Sequence, residues 1–241
     1  MRAPFRALPF RLWGSRSHLQ YLNIPPYYDL NSQFAYNYKS LSVCIIDCVY
    51  SLRANYKTTV KVVERYAEKY MDGDCNKSGD TLSKFIERIE AVSPEKFAKS
   101  VFMNSQKSGG ILKSAICLKL AKYLKTVGIE TVDDFNRFPE RELLELIVRS
   151  VKGVRDAGMN YLFMLAGDDN RCKPDVHIHR CIKDACGMDV SDKECQIIFS
   201  EAVAELKNDY PKLTVKGLDS IIWNKNQKRQ KNCENECKYM A

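Results

Sequence analysis

A chain of 241 residues that is 45% hydrophobic, 28% charged and 10% aromatic can bury a sizeable core in one domain or two intimate lobes, which excludes disorder throughout and fibrous repeats. Its longest apolar stretch, Leu41–Leu52, is broken by Asp47 and falls well short of the roughly 20 residues that cross a bilayer, so no membrane partner is expected. The net charge of +8 sits largely at the ends, with Arg2, Arg6, Arg11 and Arg16 unopposed by any acid in residues 1–20, and a lysine-rich stretch over 225–241.

Residues 1–20, interrupted by Pro4 and Pro9, read as an extension that is over-extended or, alternatively, an organellar targeting segment. The chain from 41 onward reads as helical. Leu41–Tyr70 divides near Asn55 into two helices, the second with Val60, Val63 and Tyr66 on one side. Asp72-Gly73-Asp74 and Lys77–Asp80 mark a loop, and Thr81–Ile89 forms a short amphipathic helix with Leu82, Phe85, Ile86 and Ile89 inward. Ser93-Pro94-Glu95 is a cap with proline at the first helical position. Gly109-Gly110 is expected to precede a long helix, Ile111–Val127, ended by Gly128. Thr131–Asn136, Glu140–Ser150, Ala157–Ala166, Pro174–Cys186, Ser191–Tyr210 and Thr214–Trp223 complete the series. Ser191 and Glu194 stand at capping-box spacing. No strand pair is predicted, and the class is all-α. Residues 226–241 read as a basic, fraying tail.

Within the body, charge is sorted. Lys96 to Lys125 holds seven lysines and no acid, further basic groups are Arg149, Lys152, Arg155, Arg171, Lys173, Arg180 and Lys183, and acids collect between Glu130 and Glu145. Such sorting is the footprint of a basic, nucleic-acid-binding face, or else of ordinary solvated helix surfaces. The ten scattered cysteines imply reduced thiols and a cytoplasmic location, nucleoid-associated in a bacterium.

Three segments carry candidate chemistry. Val151–Gly158 is a glycine turn between helices, either merely a turn or a place where backbone amides and a helix N-terminus can face a phosphate. Lys173-Pro174-Asp175 places a carboxylate in the first turn of a helix, where it either complements the dipole or serves a cleft. Cys172, His177, His179, Cys181 and Cys186 cluster nearby. His177 and Cys181 share a helix face, but without a Cys-x-x-Cys pair they read as packing residues rather than metal ligands.

Taken in order, these segments resemble the helix-hairpin-helix DNA glycosylase superfamily of endonuclease III and the adenine glycosylases. The family's Leu-Pro-Gly-Val-Gly-x-Lys-Thr-Ala hairpin is followed by Asp-Thr-His-Val-x-Arg. Here Gly153-Val154 is followed 22 residues on by Asp175-Val176-His177-Ile178-His179-Arg180. Leu41–Asn55 resembles the first core helix and its Leu-Ser-x-Gln-Thr turn, and Asn104–Ser108 with the helix after it resembles the Asn-x-Lys-Ala segment. Tyr161–Gly167 fits the helix after the hairpin, and the likeness spans roughly residues 41–223.

The resemblance implies two helical lobes around a cleft, residues 41–170 forming one and residues 21–40 with 171–225 the other. It implies a monomer that grips double-stranded DNA through Lys152, Gly153, Val154, Arg155, Gly158 and Lys107 and flips a damaged or mispaired base. Asp175 matches the catalytic aspartate. Arg53 and Asn55 are candidates to fill the gap left in the duplex, and Tyr56 and Tyr161, with Tyr50, either stack on the base or, as aromatics at helical spacing, belong to the core. The Schiff-base lysine of bifunctional relatives falls at Ala157, the second hairpin glycine at Arg155 and the packing alanine at Met159. The implied activity is therefore monofunctional base excision without lyase chemistry. Cys181, Cys186, Cys195, Cys233 and Cys237 do not follow the iron–sulfur spacing of some relatives, and no cofactor or metal is expected. Two alternatives stand beside the enzyme: a DNA-binding protein that kept the fold without catalysis, and a helical protein-interaction domain.

Overall fold

The computed structural model describes residues 37–225. The expectations for residues 1–36 and for the tail over 226–241, including Cys233 and Cys237, lie outside the described residues. Contacts divide the chain into two compact units, which among the described residues are 37–168 and 169–225.

The first unit is built around α1 (Leu41–Ser51), in which every residue from Leu41 to Tyr50 is buried. A helix apolar on nearly all sides must be enclosed by others, and α2 (Tyr56–Tyr70), α5 (Lys113–Thr126) and α8 (Asp156–Leu165) pack around it. Between them run α3 (Leu82–Glu90), α4 (Pro94–Ser100), α6 (Val132–Arg137) and α7 (Arg141–Ser150). Local chemistry starts these helices: Ser93 caps with its side-chain oxygen and Pro94 sits at the first helical position, as expected, while Ser40, Asn55 and Thr81 also cap and Thr131 and Asp134 form a capping box. Asp80 ties the interior, accepting from Ser40 Oγ at 3.0 Å and from Tyr66 Oη at 3.0 Å and pairing with Arg88.

The second unit holds α9 (Val176–Cys186), α10 (Asp192–Leu206) and α11 (residues 215–225) around Ile178, Ile182, Phe199, Leu218 and Ile221. The Ser191–Glu194 capping box opens α10, and Gly187 ends α9 in the left-handed conformation.

Two expectations are corrected. A small antiparallel ladder, β1 (Lys107–Ser108) with β2 (Ile111–Leu112), stands where the start of a helix was expected, so α5 begins only at Lys113. Gly109 and Gly110 have φ of 58° and 82°, the positive pair that a two-residue hairpin turn demands. Likewise α9 starts at Val176, which leaves Pro174 outside and makes Asp175 the N-cap rather than a first-turn residue. Among the described residues no helix is long and apolar enough to cross a membrane.

Candidate nucleic-acid interface

In the first unit, three turns distant in sequence adjoin one another. The first, Leu52–Asn55, links α1 to α2, with Arg53 at φ 50° and Asn55 capping α2 by accepting from Lys57 N at 3.0 Å. The second is the β1–β2 hairpin with the residues before it. The third, Val151–Arg155, joins α7 to α8 and is braced by Arg149 Nε on Asp156 Oδ1 at 2.8 Å.

Lys113 connects the first two. It is 1% exposed, and its Nζ donates to Tyr50 O and Leu52 O, each at 2.9 Å, and to Gln106 Oε1 at 3.0 Å. A cation is favourable where the last carbonyls of α1 have no helical partner. The hairpin meets the third turn through Ser108 Oγ, which donates to Gly153 O at 3.5 Å. Leu52 meets the same region, since a Cβ on Gly158 would lie 3.2 Å from Leu52 Cδ2.

Gly153 is required twice over. Its φ is 104°, and a Cβ there would stand 2.7 Å from Ile116 Cδ1, so a side chain meets both backbone strain and a buried neighbour. Gly153→Ala is expected to cost about 1–3 kcal/mol, a loss that thermal denaturation measures.

Arg53, Lys107, Lys152 and Arg155 are exposed on these turns, and none has an acidic partner among the described residues. Arg149, by contrast, is taken up by Asp156 and Glu145. Exposed cations without acidic partners on adjoining turns form a surface suited to phosphates. Two residues expected on it belong to the interior. Val154 is 3% exposed and its amide donates to Val151 O at 2.9 Å. Gly158 is buried, and its carbonyl accepts from Cys48 Sγ at 3.1 Å. Close helix packing needs a glycine there, and that packing withdraws it from solvent.

Tyr56 and Tyr161 converge on a residue that the sequence marked only as a break in an apolar run. Asp47, 1% exposed in the middle of α1, accepts from Tyr38 Oη at 2.9 Å, Tyr56 Oη at 3.4 Å and Tyr161 Oη at 3.0 Å. Burial first, then the Asp47 charge, drives the Tyr38 and Tyr161 phenols well above the ordinary tyrosine value, so they remain donors. Tyr50 is buried in the core against Phe102, ring centroids 5.1 Å apart.

In the second unit, Asp175 Oδ1 accepts from His177 N at 2.8 Å and Ile178 N at 3.3 Å. Asp219, on α11 and unremarked in the sequence, accepts from Lys173 N at 2.9 Å. Burial first, then the neighbouring Asp175 charge, pushes its carboxyl up to about 7. Among the described residues no group of His, Cys, Asp and Glu could hold a metal ion. His179 Nε2 lies 2.9 Å from Asp192 Oδ1, and Cys195 Sγ lies 3.6 and 3.9 Å from the two ring nitrogens of His179. The near-equal distances put the sulfur beside the ring rather than in line with either lone pair. Burial also pushes that thiol up to about 12, so it is no thiolate nucleophile.

The profile of a family described as Domain of unknown function (DUF8548) matches residues 27–227. The chain belongs to that family. Comparison with curated proteins and with solved structures returns no match. Within the DUF8548 domain, then, the three adjoining basic turns lie in the first unit, and Asp175 and Asp219 lie in the second.

Proposed function

We propose that this protein binds double-stranded DNA through the turns carrying Arg53, Lys107, Lys152 and Arg155 and, as a monomer, hydrolyses the N-glycosidic bond of a flipped base with Asp175. The observation that carries the reading is the adjacency of those turns. Ser108, next to Lys107, and Gly153, 45 residues apart, meet through a hydrogen bond, as a shared phosphate surface requires.

Asp175 is suited to its part because two amides hold one carboxylate oxygen, while the other, which accepts from no group among the described residues, is offered to a substrate. In the reaction the base leaves with the bonding electron pair, and the carboxylate stabilises the cationic sugar. Water adds to the anomeric carbon, and its proton ends on the departing base. Ala157 occupies the place of a Schiff-base amine, so the product is an abasic site and the strand stays whole.

One observation favours a second reading, a DNA-binding protein without catalysis: capping α9 is by itself a sufficient structural reason for Asp175. A single-turnover assay on duplexes carrying damaged and mismatched bases separates the two. Alkali-dependent cleavage of one substrate, lost in Asp175→Asn, is expected. Tight, salt-sensitive binding by both proteins with no excision anywhere in the panel would leave the second reading standing.

A further inference from the structure

The segment that presents Asp175 is held from two helices. From α10, Gln196 accepts Cys172 N at 3.0 Å and donates to Asn170 O at 2.8 Å. From α11, Lys216 N donates to Asp169 O at 3.1 Å, and Asp219 Oδ1 accepts Lys173 N at 2.9 Å. Lys173 O in turn accepts Asp175 N at 2.7 Å, closing a three-residue turn about Pro174. Asp219 is therefore one residue removed from the backbone that sets the position of Asp175.

Fixing one amide does not require a carboxyl. An asparagine offers the same acceptor oxygen without the cost of a buried ionisable group, and Asp219 is 8% exposed. Among the described residues, the groups that face it are few. Asp175, Lys173 and Cys172 come from the held segment, Cys195 from α10 lies beyond Cys172, and Lys216 precedes it on its own helix, bridging to Asp169 Oδ1 at 3.7 Å. The strongest charges among them are the Asp175 carboxylate, which opposes ionisation of Asp219, and Lys173, which favours it.

We infer that Asp219 is a positioning residue for Asp175, clamping the Lys173–Asp175 turn and forming with Asp175 a carboxylate pair in which ionisation of the buried member strengthens the field at the reacting sugar. This rests on the glycosylase reading for its effect on rate, while the pairing itself is a property of the folded chain. Two carboxylates whose surroundings separate their proton affinities are a common arrangement for dividing labour at a site. Asp219 gains its charge close to neutral pH, so the wild type should excise faster as pH rises from about 6 to 8.

The test joins kinetics with carboxyl carbon-13 NMR on the full chain, comparing wild type, Asp219→Asn, Asp219→Ala and Asp175→Asn. Asp219→Asn keeps the acceptor, so it should fold, retain activity and lose the rise between pH 6 and 8. Asp219→Ala removes the clamp and should be slower at every pH by about tenfold or more. An unchanged pH profile in Asp219→Asn together with an unchanged rate in Asp219→Ala overturns the role. No excision by the wild type overturns the glycosylase reading instead, and the titration then decides the pair alone. An Asp219 resonance that titrates near neutrality, and at lower pH in Asp175→Asn, supports the pairing. Titration in the ordinary aspartate range overturns it.

Discussion

Asp47→Ala is expected to destabilise the first unit by about 4 kcal/mol, the range reached when a buried charged group that several donors share is removed. Asp47 lies within the helix around which the unit is built, and the phenols of Tyr38, Tyr56 and Tyr161 all donate to it. Each donor left unsatisfied in the interior costs about 1–3 kcal/mol. Asp47→Asn should fall between, because its amide keeps one acceptor oxygen but turns a second donor toward groups that are already donors. Among the tyrosines, Tyr161→Phe should cost more than Tyr56→Phe, since the Tyr161 contact is 3.0 Å and the Tyr56 contact 3.4 Å. Urea denaturation read as a midpoint shift at constant slope measures all four variants. A shift below about 1 kcal/mol for Asp47→Ala would mean that water replaces the carboxylate.

The helices were readable in the sequence because their determinants are local. Ser93-Pro94, Thr81 and the Ser191–Glu194 pair act within one turn, and the apolar period of Leu82–Ile89 marks its own inner face. Asp47, Lys113 and Asp219 act over distance. Asp47 meets Tyr161 across 114 residues, and Lys113 meets Tyr50 across 63. A charged residue in an apolar stretch looks the same whether it faces solvent or a buried partner, so the pattern could mark Asp47 as an interruption but not as a centre. Gly109-Gly110 carries a hairpin signal, but strands of two residues are too short to show alternation, and the segment therefore read as the approach to a helix. Asp175 is the intermediate case. Its place at a helix start was legible, whereas the side chain that secures its turn comes from α11, 44 residues later.

Asp219 also contributes to how stability depends on pH. Its folded value of about 7 lies above the ordinary aspartate value of 3.8, so the fold favours the protonated form. The contribution is fully present below about pH 4, declines as pH rises, and is lost above about pH 7. The distance between the two values corresponds to at most about 4 kcal/mol. Asp219→Asn, which cannot ionise, should therefore melt close to wild type at pH 4 and above it at pH 8. This melting difference is independent of any activity, so it separates the energetics of burial from the role in excision.

Lys113→Met should lower stability by about 3 kcal/mol and, on the proposed DNA-binding reading, weaken binding without changing how steeply it depends on salt. The thioether fills a volume similar to the lysine stem, so packing is largely kept, but Tyr50 O and Leu52 O lose a charged donor at 2.9 Å. Hydrogen bonds to charged groups contribute about 1.5–3 kcal/mol each, and buried carbonyls left unpaired add their own desolvation cost. Lys113 is 1% exposed, so it cannot neutralise a phosphate and releases no counterion on binding. Its influence on the interface runs through the turns that it fastens, those of Arg53 and of Gln106-Lys107. Lys107→Ala should behave in the opposite way, leaving stability within about 0.5 kcal/mol of wild type and reducing the slope of log K against log salt by about one. Titrations at several salt concentrations, run beside denaturation curves, distinguish the two. If Lys113→Met lowered the slope as Lys107→Ala does, Lys113 would have to reach the DNA itself, and the buried position given to it here would not be the bound one.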